Sequence, residues 1–311
     1  MPIDPYAKRF LDRLAAINPP SVQTLSVSER REALEQLLII SGTPVAVSRV
    51  EDRSLPGPAG PLAARLYTPA GASGDALAGL IYFHGGGFVA GSLNSHDAIC
   101  RALCNASGCR LIAIDYRLAP EHPFPAAIED GYAAVSWIAT HAAQFGVDPD
   151  RLAVGGDSAG AMLAAAVCQR VGAAQNVHLA LQLLLCPIMD YAAQTDSRRS
   201  FAQGYFLDQA TLDHDCKHYL GVGADLADPR VSPLRAHDLS AVAPACIHTA
   251  EFDPVRDEGA AYAQRLRSAG VQTTYHCHSG MIHLFYGMGV MIPYAAAGYQ
   301  SIGTDIRARL A

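Results

Sequence analysis

The sequence lacks a long apolar run, an excess of basic charge and a paired arrangement of cysteines. No apolar stretch approaches the roughly 18 residues of a membrane-spanning helix, and residues 1–9 carry no signal-peptide pattern. The formal net charge of −6 offers no basic surface for nucleic acid or anionic lipid. We therefore expect no membrane span and no nucleic-acid partner.

The eight cysteines lie mostly in apolar or helical contexts, and none has the Cys-x-x-Cys spacing of a zinc or redox site. Cys100 and Cys104 are four residues apart on a predicted helix, but no second pair completes a metal site. This usage indicates buried thiols in a reducing compartment, which predicts a cytoplasmic location. We predict no metal centre.

The 311 residues, of which 50% are hydrophobic, are enough for one large buried core. Residues 5–17 and 27–40 have apolar residues at helical spacing, and a β-hairpin is predicted around a turn at 55–60. Beyond this hairpin, predicted helices alternate with short apolar strands near 78–84, 110–115, 151–154, 179–185, 244–250 and 271–277. This order predicts an α/β fold with a mainly parallel twisted sheet and helices on both faces.

One interval interrupts the alternation of strands and helices. Nearly sixty residues with little strand character lie between Leu185 and Pro244, a length typical of a functional insertion. Together with the N-terminal helices, this insertion would cover the carboxyl ends of the strands, where α/β sheets bind ligands. We predict N-terminal cap helices in 1–44, a catalytic domain in 45–187 and 228–311, and a cap insertion in 188–227.

A Gly-x-Ser-x-Gly pattern, Gly156–Gly160, stands between an apolar strand and an alanine-rich helix. A serine in this context is held in a strained backbone conformation that exposes its hydroxyl, and the flanking glycines avoid clashes. Ser158 is therefore the predicted nucleophile. The alternative is an ordinary tight turn, because the pattern is short.

Three consecutive glycines, Gly85, Gly86 and Gly87, follow the predicted strand 78–84. Glycines there allow backbone N–H groups to approach a substrate oxygen, as an oxyanion hole requires. The alternative is a flexible glycine loop. We assign His84, just before them, to ordering this loop.

A serine nucleophile needs a base, and the base needs a carboxylate that orients it. In a doubly wound hydrolase these residues follow the serine in the order acid, then histidine, on loops after late strands. Asp253 lies in a turn after the predicted strand 244–250, and Glu251 is the alternative acid. His283 follows the predicted strand 271–277 and is the predicted base.

Six motifs occur in order along the chain: His84–Gly87, Asp115–Ala126, Gly156–Gly160, Asp228–Leu234, Asp253–Gly259 and Gly280–His283. Together they closely resemble the motifs of bacterial hormone-sensitive-lipase-like esterases, from about residue 45 onward and less distinctly before it. The resemblance implies an α/β-hydrolase fold with a helical cap. It also implies a cofactor-free serine carboxylesterase that hydrolyses short-chain acyl esters through an acyl-enzyme. Its triad would be Ser158, Asp253 and His283, and its oxyanion hole Gly85, Gly86, Gly87 and Ala159.

The predicted substrate pocket comprises Phe88, Asp157, Tyr205, Phe206, Leu284 and Phe285. The bulky apolar members predict a short pocket that accepts acyl chains from acetyl to about hexanoyl. Leu284 stands where the family commonly has glycine. The segment around Cys216 and Lys217 also lacks the aromatic residues often found there.

Two other interpretations stay open. The same fold could serve as a ligand-binding receptor, and the same triad could cleave an amide, a lactone or a sugar acetate. The predicted partner is a small-molecule ester. A homodimer is compatible with the sequence, which does not fix the oligomeric state.

Overall fold

The computed structural model describes residues 1–74, 76–221 and 223–311, which contain eight β-strands and nine α-helices. Asp75 and Val222, which fall within the predicted catalytic domain and cap insertion, lie outside the described residues. The strands are β1 (Arg49–Gly57), β2 (Gly60–Thr68), β3 (Leu77–Phe83), β4 (Arg110–Asp115), β5 (Val147–Asp157), β6 (Leu181–Leu185), β7 (Ala245–Phe252) and β8 (Thr273–Ile282). The helices are α1 (Pro5–Ile17), α2 (Val27–Ser41), α3 (Asp97–Ser107), α4 (Ala126–Thr140), α5 (Ala159–Ala174), α6 (Asp196–Ser200), α7 (Gln209–Leu220), α8 (Arg256–Ser268) and α9 (Ala295–Leu310).

The eight strands form one sheet in the order β1-β2-β4-β3-β5-β6-β7-β8. β2 is antiparallel to both of its neighbours, β1 and β4, and the six strands from β4 to β8 run parallel. Inner parallel strands bury both faces, so β3, β4 and β6 are largely apolar, whereas the edge strand β8 is polar and partly exposed. The structure confirms the predicted mainly parallel α/β fold.

Helices cover the sheet on both sides. Ile81 and Phe83 of β3 face a core built with α4, α5 and α8, whereas Leu80 and Tyr82 face a second core with α3 and α9. None of the helices in 1–74, 76–221 and 223–311 has both the length and the apolar character that crossing a bilayer demands.

The N-terminal helices pack on loops at the carboxyl ends of the strands. A capping box of Ser26 and Glu29 starts α2. From α2, Arg31 donates hydrogen bonds to the carbonyl oxygens of Val89 and Ala119 and to the carboxylate of Glu121. These bonds fix α2 to the loops after β3 and β4. The division of the chain into cap and catalytic segments stays a prediction.

Several strand ends differ from the expected ones, and β5 runs from Val147 to Asp157 instead of covering only 151–154. β8 runs from Thr273 to Ile282 instead of ending near 277, because it pairs with β7 as far as Phe252 opposite Ile282. β1 and β2 continue into the expected turn, where Pro56 lies opposite Pro61. Prolines are tolerated there because β1 is an edge strand and pairing between β2 and β4 begins only at residue 63.

A buried ion pair joins the segment after β6 to α8. Arg198 Nε donates to Glu258 Oε1 at 2.7 Å, and the two side chains are 7% and 0% exposed. Glu258 Oε2 accepts hydrogen bonds from the N–H groups of Met189 and Asp190 at 2.8 and 2.9 Å. Burial raises the pKa of the Glu258 carboxyl even beside Arg198, so the ionised form depends on these donors.

We predict that Glu258→Gln lowers the free energy of unfolding by about 3 kcal/mol, because it leaves the charge of Arg198 buried without a counter-ion. The matched control is Glu129→Gln, since Glu129 pairs with Arg170 at 2.9 Å and is 42% exposed. The control should lose less than about 1 kcal/mol. Urea unfolding measures both variants, and equal losses would contradict the prediction.

Candidate active site

Ser158 is the one residue between the end of β5 and the start of α5. Its backbone has φ 54° and ψ −118°, a strained conformation for a residue with a side chain. The turn is tight because a Cβ on Gly160 would lie 2.1 Å from the carbonyl oxygen of Phe83, and a Cβ on Gly156 would lie 2.4 Å from Gly160. The strand, the tight turn at Ser158 and the helix thus have the geometry that the sequence pattern predicts.

Ser158, His283 and Asp253 form a buried hydrogen-bonded chain. His283 Nε2 lies 3.1 Å from Ser158 Oγ, and His283 Nδ1 lies 2.7 Å from Asp253 Oδ2. A carboxylate only accepts, so Nδ1 carries the hydrogen and Nε2 is left to accept the serine O–H. The other oxygen of Asp253 accepts the N–H of Val255 at 3.0 Å. This arrangement can move a proton from the serine to the histidine.

The sheet explains why Asp253 and His283 lie side by side. Phe252 and Ile282, the last residues of β7 and β8, pair with each other, and the residues that follow them are Asp253 and His283, respectively. Both side chains therefore leave the carboxyl end of the sheet at the same level.

The alternative acid, Glu251, is engaged elsewhere. Its Oε2 accepts hydrogen bonds from Ser279 Oγ at 2.6 Å and from the N–H of Gly280 at 2.8 Å. The hydrogen bond from Ser279, together with that from Gly280, lowers the pKa of Glu251 to about 2. The geometry therefore brings Asp253, and not Glu251, to His283.

The three glycines after β3 do not occupy equivalent positions. Gly86 and Gly87 line the cavity that contains Ser158, and within the described residues their N–H groups have no backbone acceptor. The backbone nitrogen of Gly85 instead lies 3.3 Å from His96 Nε2, the ring nitrogen that also contacts Asp157. Ala159 is the first residue of α5, where helix N–H groups lack intrahelical partners. This geometry favours Gly86, Gly87 and Ala159 over Gly85 as oxyanion donors.

Asp157, predicted for the pocket, lines the cavity but directs its carboxylate behind the loop. Tyr82 donates its O–H to Asp157 Oδ1 at 2.7 Å, and His96 Nε2 lies 3.3 Å from Oδ2. Complete burial raises the pKa of Asp157, but His96 and the hydrogen bond from Tyr82 lower it by a larger amount. The pKa of Asp157 is therefore below the usual value of an aspartate. Its carboxylate therefore binds Tyr82 and His96 below the cavity and does not contact His283.

The cavity has a volume of about 920 Å³ and lies between the two predicted cap segments and the strand ends. Its apolar lining includes Leu25, Leu34, Leu37, Ile188, Phe206, Leu207, Leu212 and Leu284. Asp157, Phe206 and Leu284 were predicted pocket residues and do line it. Phe88, Tyr205 and Phe285, predicted alongside them, are absent from the lining as the described residues define it.

These three aromatic residues pack into the protein instead. Phe88 has φ 64° and stacks on Tyr219 with ring centroids 4.0 Å apart. Tyr205 stacks on Phe252 at 5.8 Å. Phe285 fills the space beside Gly298 of α9, where a Cβ would lie 2.7 Å from its ring. The cavity is therefore larger than the short pocket expected from these residues.

Sequence reasoning missed several polar residues of the site. Arg30 and Asp215 line the cavity, and His96 and Tyr82 hold Asp157. None of them lies in a recognisable motif, so the sequence carries no signal that separates them from other surface or core positions.

One group of three potential metal ligands occurs among the described residues: Cys186, Asp253 and His283, whose ligand atoms all lie within 4.8 Å of one another. Asp253 and His283 already bind each other. The expectation that the site needs no metal stays a prediction.

A family model described as alpha/beta hydrolase fold matches residues 80–287. The chain belongs to the α/β-hydrolase family. It is 44% identical to the carboxylic ester hydrolase LipN of Mycobacterium tuberculosis over 84% of this chain and 70% of the relative. It is 39% identical to an ethyl acetate hydrolase of Pseudomonas putida over 86% of each chain.

A solved α/β hydrolase from the metagenome of Lake Arreo superposes with a TM-score of 0.96 at 41% identity, covering 98% of both chains. These similarities confirm the predicted hormone-sensitive-lipase-like membership and the carboxylic ester hydrolase class. They favour an enzyme over a ligand-binding receptor.

The side chain of His84 packs against the glycine loop and against Tyr116. Its Nδ1 lies 2.8 Å from the carbonyl oxygen of Gly85, its ring stacks on Tyr116 at 4.4 Å, and Tyr116 donates its O–H to the His84 carbonyl at 2.6 Å. Burial, followed by the nearby His96, lowers the pKa of His84 to about 4.

We predict that this buried imidazole makes the protein less stable in mild acid. Above about pH 6.5, the ordinary histidine pKa, His84 is neutral in both states. As the pH falls toward 4, only the unfolded chain binds the proton, so His84 alone lowers the free energy of unfolding by about 2 kcal/mol at pH 5. Urea unfolding at several pH values measures the slope. His84→Gln should make it shallower, and an unchanged slope would contradict the assignment.

Proposed function

We propose that the protein is a serine carboxylesterase that hydrolyses short-chain acyl esters through an acyl-enzyme. The observation that carries the proposal is the chain of hydrogen bonds from Ser158 through His283 to Asp253, which opens onto a largely apolar cavity. Acyl transfer is the chemistry that such a chain performs on many folds. The proposed roles are nucleophile for Ser158, base for His283 and acid for Asp253.

In the first half-reaction, Ser158 Oγ attacks the ester carbonyl carbon while its proton passes to His283 Nε2. Asp253 accepts the hydrogen bond of Nδ1–H and stabilises the imidazolium that forms. The alcohol then leaves with the proton that His283 returns. A water molecule activated by the same imidazole hydrolyses the acyl-enzyme and regenerates the serine.

The carbonyl oxygen becomes negatively charged when the serine attacks. We assign its stabilisation to the N–H groups of Gly86, Gly87 and Ala159, because fixed backbone donors at this point stabilise the transition state more than the substrate. Gly86 and Gly87 have φ values of 114° and 66°, which a glycine adopts without strain.

The substrate class rests on the cavity and on similarity. A volume of about 920 Å³ is at the upper end of small-molecule sites, so it holds both the acyl and the alcohol part of a small ester. The relative named ethyl acetate hydrolase supports a short acyl group. Amides, lactones and sugar acetates stay open as further substrates. The absence of a nucleic-acid partner, a cytoplasmic location and a homodimer also stay proposals.

The proposed roles predict that changes of Ser158 and Asp253 are far more damaging than a change of Glu251. Ser158→Ala should lower kcat by at least about 10³-fold, and Asp253→Asn by about 10⁴-fold because His283 then adopts the wrong tautomer. The control Glu251→Gln should stay within about tenfold of the wild-type protein, since Glu251 does not contact His283. Mass spectrometry after fluorophosphonate treatment should detect labelling on the peptide with Ser158. If Glu251→Gln is the more damaging change, the acid is misassigned.

The position of Leu284 predicts how kcat/KM depends on the length of the acyl chain. Its side chain lines the cavity directly after His283, and an acyl chain forced against packed side chains loses about 1–3 kcal/mol. In a series of p-nitrophenyl esters, kcat/KM should peak between acetyl and about hexanoyl, and Leu284→Gly should move the peak to longer chains. Leu284→Ala, which removes the bulk without glycine's backbone freedom, should move it in the same direction. Coincident profiles, or best activity on palmitate, would contradict this prediction.

A further inference from the structure

A buried ion pair connects two cap helices inside the cavity. Arg30 of α2 donates from Nη2 to Asp215 Oδ2 of α7 at 3.0 Å, and the two side chains are 13% and 7% exposed. Both residues line the same cavity as Ser158. The pair therefore forms part of the cavity wall that a substrate would contact.

Asp215 also rests on the glycine loop. A Cβ placed on Gly87 would lie 2.0 Å from Asp215 Oδ2 and 2.5 Å from its Cβ and Cγ, so the carboxylate packs against the Cα of Gly87. The N–H of Gly87 is one of the proposed oxyanion donors. A negative charge at this position opposes the negative charge that develops on the substrate oxygen, unless a cation neutralises it.

Arg30 is that cation. Among the described residues that line the cavity, no other arginine or lysine occurs. The other acidic lining residues away from the catalytic loop are engaged locally: Glu29 accepts hydrogen bonds from Ser26, and Asp208 caps α7. His214 Nδ1 lies 3.0 Å from the second oxygen of Asp215. The charge balance beside the oxyanion donors therefore depends mainly on Arg30.

Arg30 keeps unused hydrogen-bonding capacity. Its Nε is buried, and within 1–74, 76–221 and 223–311 no hydrogen-bond partner is found for it. If Asp215 lost its charge, Arg30, which lines the cavity, would be a largely buried cation without a carboxylate counter-ion. Such a group binds carboxylates well.

We propose that the Arg30–Asp215 pair determines the charge specificity of the site, so that the enzyme accepts uncharged esters and rejects esters that carry a carboxylate. The pair presents no net charge to the substrate. Asp215 neutralises the charge of Arg30, which therefore does not attract a substrate anion, and Arg30 neutralises Asp215, which therefore does not disfavour the oxyanion. This inference rests on the proposed esterase function.

The test compares isosteric neutral and anionic esters. Ethyl levulinate and monoethyl succinate vary the acyl part, and 4-acetylphenyl butyrate and 4-carboxyphenyl butyrate vary the alcohol part. The wild-type enzyme should prefer the neutral member of each pair by at least tenfold in kcat/KM. This measurement needs no variant, and an equal or better rate on both anionic members would overturn the proposal.

Variants separate charge from packing. Asp215→Asn should shift the ratio toward the anionic ester by at least tenfold, mainly through KM, because it frees Arg30. Arg30→Met should lower kcat on neutral esters by at least tenfold, because it leaves the carboxylate on Gly87 unneutralised. The double variant Arg30→Met/Asp215→Asn should regain most of this kcat, and Arg30→Lys should keep the wild-type ratio within about threefold.

A purely structural role for the Arg30–Asp215 pair, in which it only holds the two helices together, gives a different pattern. It predicts that the double variant is as slow as Arg30→Met and that Asp215→Asn leaves the charge ratio unchanged, and either result overturns the proposal. Failure of the wild-type enzyme to hydrolyse any of the neutral esters would instead contradict the proposed function. The two failures are therefore distinguishable.

Discussion

The site depends on the close approach of α5 to the end of β3, because that approach sets the backbone of Ser158. Gly160 lies so near the carbonyl oxygens of Phe83 and His84 that a Cβ would be 2.1 and 2.4 Å from them. The serine consequently holds φ 54°, a strain of about 1–3 kcal/mol that only surrounding packing can maintain. The same contact brings the glycine loop after β3 next to the serine. Nucleophile and proposed oxyanion donors thus share one constraint.

The proposed acid and base depend on a different feature, the extension of β7 and β8 beyond the end of β6. The register between these strands shifts between Ala250 and Phe252, after which Phe252 still pairs with Ile282. The extension carries Asp253 and His283 out of the sheet together, and the imidazole reaches back over β6 and β7 to the serine at the end of β5. The order along the chain of the proposed nucleophile, acid and base follows from this sheet order.

The sequence allowed these positions to be predicted because each rests on a local cue in a fixed order along the chain. The limits of β8 could not be predicted, since they depend on its pairing with β7. The pocket could not be predicted either, because nearness to a motif does not fix the direction of a side chain. Phe88 follows the glycine loop but turns into the core onto Tyr219. Arg30 and Asp215, which do line the cavity, are 185 residues apart and meet only when the helices pack.

Leu284 shows how a substrate-facing residue can arise on the catalytic loop itself. Its backbone has φ 60° and ψ 21°, a left-handed conformation that costs a leucine about 1–2 kcal/mol and a glycine almost nothing. A leucine at a position where the family commonly has glycine therefore needs a compensating gain. Its buried side chain packs beside Gly287, and burying a leucine contributes about 1.5–3 kcal/mol. This burial outweighs the backbone cost, so the leucine is tolerated at this position. The cavity wall next to His283 therefore comes from the same loop as the proposed base, whereas the wall with Arg30 and Asp215 comes from the helices that cover the cavity.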